Sequence, residues 1–119
     1  MRAIQNKEAA IALIGGTSLK GHINCYYSEL VQLLGEPTFP EQSDKIFKEW
    51  VVMHNGKVFT IYDWKSNCES AVIYHLQEWN IGGVGYAGEF ISELNQKLED
   101  QRYYNYIEEQ EASLVYFLN

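Results

Sequence analysis

Apolar positions along this chain change period several times, and each change marks the edge of an element. Ile4 to Ile14 carries its apolar groups at helical spacing and predicts a short helix that Gly15-Gly16 ends. Thr17 to Ile23 alternates loosely and reads as a strand entering the domain. Tyr27, Leu30, Val31 and Leu34 return to helical spacing, with Asn24 as a plausible cap, Gly35 as a stop and Pro37 as a breaker. Residues 36–44, which hold both prolines, read as the main irregular loop.

The sharpest local signal follows. Ile46 to His54 and Lys57 to Lys65 flank Asn55-Gly56, a pair that favours a two-residue hairpin turn because both positions accept positive φ. Counting outward from that turn sets the register. His54 faces Lys57, Val52 faces Phe59, Trp50 faces Ile61 and Lys48 faces Asp63. On the opposite face Met53 meets Val58, Val51 meets Thr60, Glu49 meets Tyr62 and Phe47 meets Trp64. Both faces carry large apolar groups. One is expected to pack on helices, and the other to be covered by the terminal segments, a ligand or another subunit. Glu49, Thr60 and Tyr62 form a polar island among Phe47, Val51 and Trp64, the composition of a small-molecule pocket.

Ala71 to Trp79 reads as a third strand, and residues 86–98 as an amphipathic helix with Phe90, Ile91, Leu94 and Leu98 on one face. The tail from Arg102 is tyrosine-rich, then acidic, then apolar over Leu114 to Leu118. It fits a helix or a closing strand, and its apolar end belongs either in the core or in a subunit contact. The expected class is α+β, a small antiparallel sheet of three or four strands with a central Asn-Gly hairpin, packed by two to four helices in one domain.

Composition narrows function more than fold. The net charge of -7 opposes a sequence-independent grip on nucleic acid, which needs basic side chains gathered on one face. The acids are scattered apart from Glu108, Glu109 and Glu111, so a solvated acidic surface explains them better than mimicry of DNA does. Nine Tyr and three Trp suit half-exposed faces and stacking sites. Two cysteines, Cys25 and Cys68, are too few for a disulfide framework. The opening residues carry a charge every few positions, and the apolar run Ala9 to Ile14 is short, so neither a signal peptide nor a membrane span is expected.

Catalytic motifs are missing from the sequence: it has no nucleophile elbow, phosphate loop or H-E-x-x-H string. His22 and Cys25 have ligand-like spacing, yet one such pair does not make a metal site, and a structural His beside a buried thiol is the simpler reading. Gly83, Gly85 and Gly88 complete a G-x-G-x-x-G, but too little chain follows for a second parallel strand, and the preceding segment is too polar for a central one. What survives is a turn whose amides at a helix N-terminus can meet an anion. The expectations are therefore a binding protein rather than an enzyme, with no cofactor and no metal.

Thr17-Ser18-Leu19-Lys20-Gly21-His22-Ile23, Leu34-Gly35-Glu36-Pro37, Glu49-Trp50, Ile61-Tyr62-Asp63-Trp64-Lys65 and Trp79-Asn80-Ile81-Gly82-Gly83 occur in that order. The set resembles a group of small phage-encoded proteins that share T-S-L-x-G-x-I, F-G-E-P, E-W, I-Y-[DN]-W-K and W-x-I-G-G. The likeness spans residues 17–98, with residues 1–16 and 99–119 as additions. His22, Tyr26 and Leu34 stand where that group usually has Tyr, Thr and Phe. The resemblance implies a phage or prophage accessory protein in the bacterial cytoplasm, of the kind that counters host defence. It would do so by sequestering a nucleotide signal or binding a defence protein, or as a protein–protein blocker of the anti-CRISPR or acidic DNA-mimic kind. For a nucleotide, Tyr62, Trp64 and Trp79 would stack a base, with Lys20, Lys65 and the Gly82-Gly83 amides on phosphates. His22, Glu49 and Trp50 complete the candidate ligand set, and the tail is a candidate homo-oligomer contact.

Overall fold

A computed structural model describes residues 1–41, 43–64 and 68–118. Among them are four helices and one four-stranded antiparallel sheet, an α+β architecture as the residue pattern predicts. The elements run α1 (Lys7–Leu13), β1 (Ser18–Cys25), α2 (Tyr27–Leu34), β2 (Glu49–His54), β3 (Lys57–Tyr62), α3 (Glu69–Tyr74), β4 (Gln77–Gly83) and α4 (Gly88–Leu118), with strand order β1-β4-β3-β2. An all-antiparallel sheet contains no βαβ unit, so the glycine string at its end is not a dinucleotide fingerprint.

The hairpin is built as its turn dictates. Asn55 and Gly56 have φ of 51° and 77°, and the six pairs from His54–Lys57 to Glu49–Tyr62 match the counted register. The ladder ends there rather than continuing to Lys48–Asp63 and Phe47–Trp64. Asp63 is buried, and its carboxylate accepts the Lys48 amide at 2.8 Å and the Phe47 amide at 3.0 Å, replacing strand pairing with a side-chain stop.

The alternation of β2 and β3 sorts the sheet into two faces. Trp50, Val52, Phe59, Ile61, Trp79, Ile81, Ile23 and Cys25 share the first and form the main core with Leu30 and Leu34 of α2 and Phe90, Leu94 and Leu98 of α4. Trp50 sits between Tyr27 and Trp79, with ring centroids 5.6 and 5.3 Å away. The Phe59 and Phe90 rings stack at 4.2 Å and are nearly parallel. Polar contacts then fasten α4 to α2. The Arg102 guanidinium donates twice to Glu29, the Gln101 amide donates to the Glu29 carbonyl, and the Gln32 and Asn105 amides bond reciprocally at 3.1 Å.

The second face carries Glu49, Val51, Met53, Val58, Thr60, Tyr62, Glu78, Asn80, Gly82, Leu19, His22 and Asn24. The free edge of β2 is flanked by the N-terminal segment and by the loop after α2. Ala3 bridges Val52, Phe39 bridges Glu49, Ile4 donates to the Val51 carbonyl, and the Thr38 hydroxyl joins the two segments. Val51 and Thr60 are buried on this face, apart from the main core. Gly82 is required in this layer, because a Cβ would overlap the Thr60 hydroxyl. Gly82→Ala is therefore expected to cost about 1–3 kcal/mol, as overpacking does. Gly15→Ala, with nothing near its Cβ, should be neutral by comparison in urea titrations.

Two local expectations are corrected, and two alternatives left open for the tail are decided. Asn24 lies within β1, and the N-cap of α2 is Tyr26, whose amide donates to the Glu29 carboxylate at 2.9 Å. Residues 71–74 are helical and not the start of a strand. The apolar run turns Val72 into the core, and the Gln77 amide holds the Ala71 carbonyl at 3.0 Å. The tail is the second half of α4, not a strand. Its apolar end is also exposed rather than part of the core, Phe117 being 86% and Leu118 77% accessible.

Candidate functional site

On the second face, toward β4 and β1, lies a cleft of about 260 Å³ lined by Leu19, Tyr62, Trp64 and Asn80. The strands place these side chains by register. Asn80 of β4 lies opposite Tyr62 on one side and His22 on the other, and Leu19 pairs with Gly82 just before a bulge in β1. Trp64 follows the end of β3, its ring 6.3 Å from Tyr62 and nearly perpendicular to it. Two aromatic walls thus meet at an edge, with a side-chain amide on the sheet floor between them. The Lys45 ammonium stands 5.6 Å from the Trp64 ring centre, a cation–π contact at the cleft's margin.

Glu49 is the cross-strand partner of Tyr62, on the side of that strand away from Asn80. Burial, together with the negative charge of Asp63, pushes its carboxyl from 4.5 up to about 7. Burial, reinforced by Glu49, also raises the Tyr62 hydroxyl. No hydrogen bond joins the two among the described residues, so the pair is an electrostatic neighbourhood rather than a bonded unit. At neutral pH a large share of Glu49 is protonated and can donate a hydrogen bond as well as accept one.

A stability signature follows from that shift. The unfolded carboxyl releases its proton near 4.5 and the folded one near 7, so the folded state binds more protons in between. Stability should therefore fall as pH rises through that window, by on the order of 1–3 kcal/mol in total, and level off above it. Thermal unfolding of Glu49→Gln between pH 5 and 8 should lack this fall.

The sequence-derived site residues divide between the two faces. Tyr62, Trp64, Glu49 and Gly82 come together on the second face, with His22 and Lys20 exposed on the neighbouring β1 strand. His22 lies 3.9 Å from Glu78, in an exposed pair. Trp50 and Trp79 do not join them. Both indoles are fully buried in the helix-covered core, and their N–H groups are committed to the Gly35 and Cys25 carbonyls at 2.9 and 3.0 Å. Gly83 also faces that side, against the Phe59 ring. Both glycines sit in β4 with a paired strand on each side, so their amides belong to the ladder and not to an open phosphate loop. Lys65 lies outside the described residues.

The structure adds Leu19, Asn80 and Lys45. Asn80 is fixed by the pairing of β4 with β3, a non-local fact that the misplaced start of that strand concealed. Leu19 carried a visible sign, an apolar residue on an edge strand left half exposed.

Other candidate chemistry is dispersed. Cys25 faces the core while His22 faces the cleft side, so the pair shares no site; burial, followed by the charge of Glu29, pushes the Cys25 thiol up to about 12. Among the described residues no group of His, Cys, Asp and Glu is placed to hold a metal, and no helix is long and apolar enough to cross a membrane. The Tyr86 hydroxyl lies against Gly88 at the start of α4, and Glu89 and Glu93 line the same hollow, a negative setting that opposes an anion. Fold and cleft together define a small α+β protein with an aromatic recess on one face of its sheet. No protein-family model, curated protein or solved structure matches the chain.

Proposed function

We propose that this chain is a binding protein whose recess captures the base end of a small nucleotide signal, and that it serves a phage or prophage as a counter-defence factor in the host cytoplasm. The observation that carries the ligand class is the convergence of Tyr62, Trp64 and Asn80 on one cleft, with Glu49 across the strand from Tyr62. A planar base stacks on an aromatic ring at about 1–3 kcal/mol. The Asn80 amide and a protonated Glu49 both offer donor and acceptor atoms to a base edge. Lys45, over the Trp64 ring, and Lys20, exposed on β1, are the cations available to phosphates. The cleft is just below the ~300–1,000 Å³ of drug-sized pockets, which fits a base and its sugar better than a whole dinucleotide. The phage setting rests on the resemblance of residues 17–98.

Thermal-shift measurement against cyclic dinucleotides, cyclic mononucleotides and ADP-ribose compounds tests the reading. A rise of several degrees with one of them is expected, since a ligand bound only to the folded state stabilises it by mass action. Flat melting curves across the panel would overturn it. They would favour the second reading, direct binding of a defence protein, which the net charge of -7 and the acid across the strand from Tyr62 support.

A further inference from the structure

The helix α4 carries two apolar stripes on opposite sides. In its first half Phe90, Leu94 and Leu98 are buried, and Gln101 and Asn105 continue that line with hydrogen bonds to α2. In its second half Tyr103, Ile107, Gln110, Leu114 and Phe117 recur at alternating spacings of four and three. At about 100° per residue the second line falls roughly half a turn from the first. Tyr103, Gln110, Leu114 and Phe117 of that line are exposed, and Ile107 is half-buried. From Glu108 onward every described residue is exposed, so some three turns of helix extend past the body.

We infer that this second stripe is the seam of a homodimer, in which α4 of one copy lies parallel to α4 of another. The stripe has the alternating three-and-four spacing of a two-stranded coiled coil, a pattern complementary to itself. Glu108 and Glu109 occupy outward positions. Glu111 flanks the seam where a parallel partner presents Tyr106, so no like charges oppose one another. Because the seam faces away from the core-facing stripe, the two bodies lie on opposite outer sides and do not collide. Tyr103, Tyr106 and Phe117 are more than half exposed. At up to ~150–250 Å² for a fully buried aromatic, and less for rings already partly covered, these side chains and Leu114 give a seam of several hundred Å² per partner, below but of the order of the ~800 Å² of a standard interface. Gln110, the one polar seam position, would fix the register.

Sedimentation of the full chain at micromolar to 100 µM concentration should show twice the monomer mass, and the double substitution Leu114→Glu, Phe117→Glu should return it to a monomer. Its melting temperature at low concentration should be unchanged, because neither side chain touches the core. Orientation is read from Phe117→Cys in a Cys68→Ser background, where mild oxidation should cross-link two copies at position 117. A wild type that stays monomeric, or a dimer that the double substitution leaves intact, overturns the seam. A dimer that does not cross-link at 117 overturns the parallel arrangement. The seam lies apart from the cleft, so its failure leaves the ligand proposal standing.

Discussion

Trp50→Ala is expected to remove about 3–5 kcal/mol of stability, a large part of the ~5–15 kcal/mol that holds a domain of this size. The indole is fully buried, packs between Tyr27 and Trp79, and gives its N–H to the Gly35 carbonyl at 2.9 Å. Truncation leaves a cavity at the centre of the core and strands that carbonyl without its donor. The melting temperature should drop by more than about 10 °C. Trp64→Ala, at a side chain 48% accessible on the rim of the cleft, should move it by a few degrees at most. Equal losses for the two substitutions would contradict the assignment of one tryptophan to the core and the other to the recess.

That division shows what the residues alone could and could not reveal. The hairpin register was legible because Asn55-Gly56 is a local determinant, and every later pair follows by counting. The same count put Trp50 and Tyr62 on opposite faces. With apolar groups on both sides, however, nothing local decides which face the helices cover, so the sequence alone leaves Trp50 as eligible for a ligand as Tyr62. Trp79 was harder still, because the apolar run at 71–74 reads equally well as strand or buried helix, and its parity was lost with the true start of β4. Asp63 looked like one more ladder residue, whereas its carboxylate ends the ladder. The recess needs Leu19, Tyr62 and Asn80 from three different strands, so it depends on the β1-β4-β3 pairing. The long helix was underestimated for a related reason: its apolar stripe changes sides near Tyr103, and a single-stripe reading stops there.

Loss of ligand capture is the second large effect. Removing either aromatic wall should weaken binding of the active nucleotide by about 5- to 150-fold, the range of one stacking contact. Tyr62→Ala and Trp64→Ala should each do this while remaining folded, since neither ring is part of the main core. Binding should also weaken above pH 7–8, where Glu49 loses the proton that lets it donate to the base. Asn80→Ala should reduce discrimination between bases more than it reduces affinity, because the amide reads the edge and the rings hold the plane.

The most direct measurement uses the protein's three indole N–H signals, one from each tryptophan, followed by NMR during titration with the nucleotide that raises the melting temperature. The account predicts that the Trp64 signal shifts in proportion to occupancy, while Trp50 and Trp79, locked onto backbone carbonyls in the core, stay in place. Movement of the Trp50 or Trp79 signals with Trp64 unchanged would put the ligand elsewhere and contradict the cleft as the site.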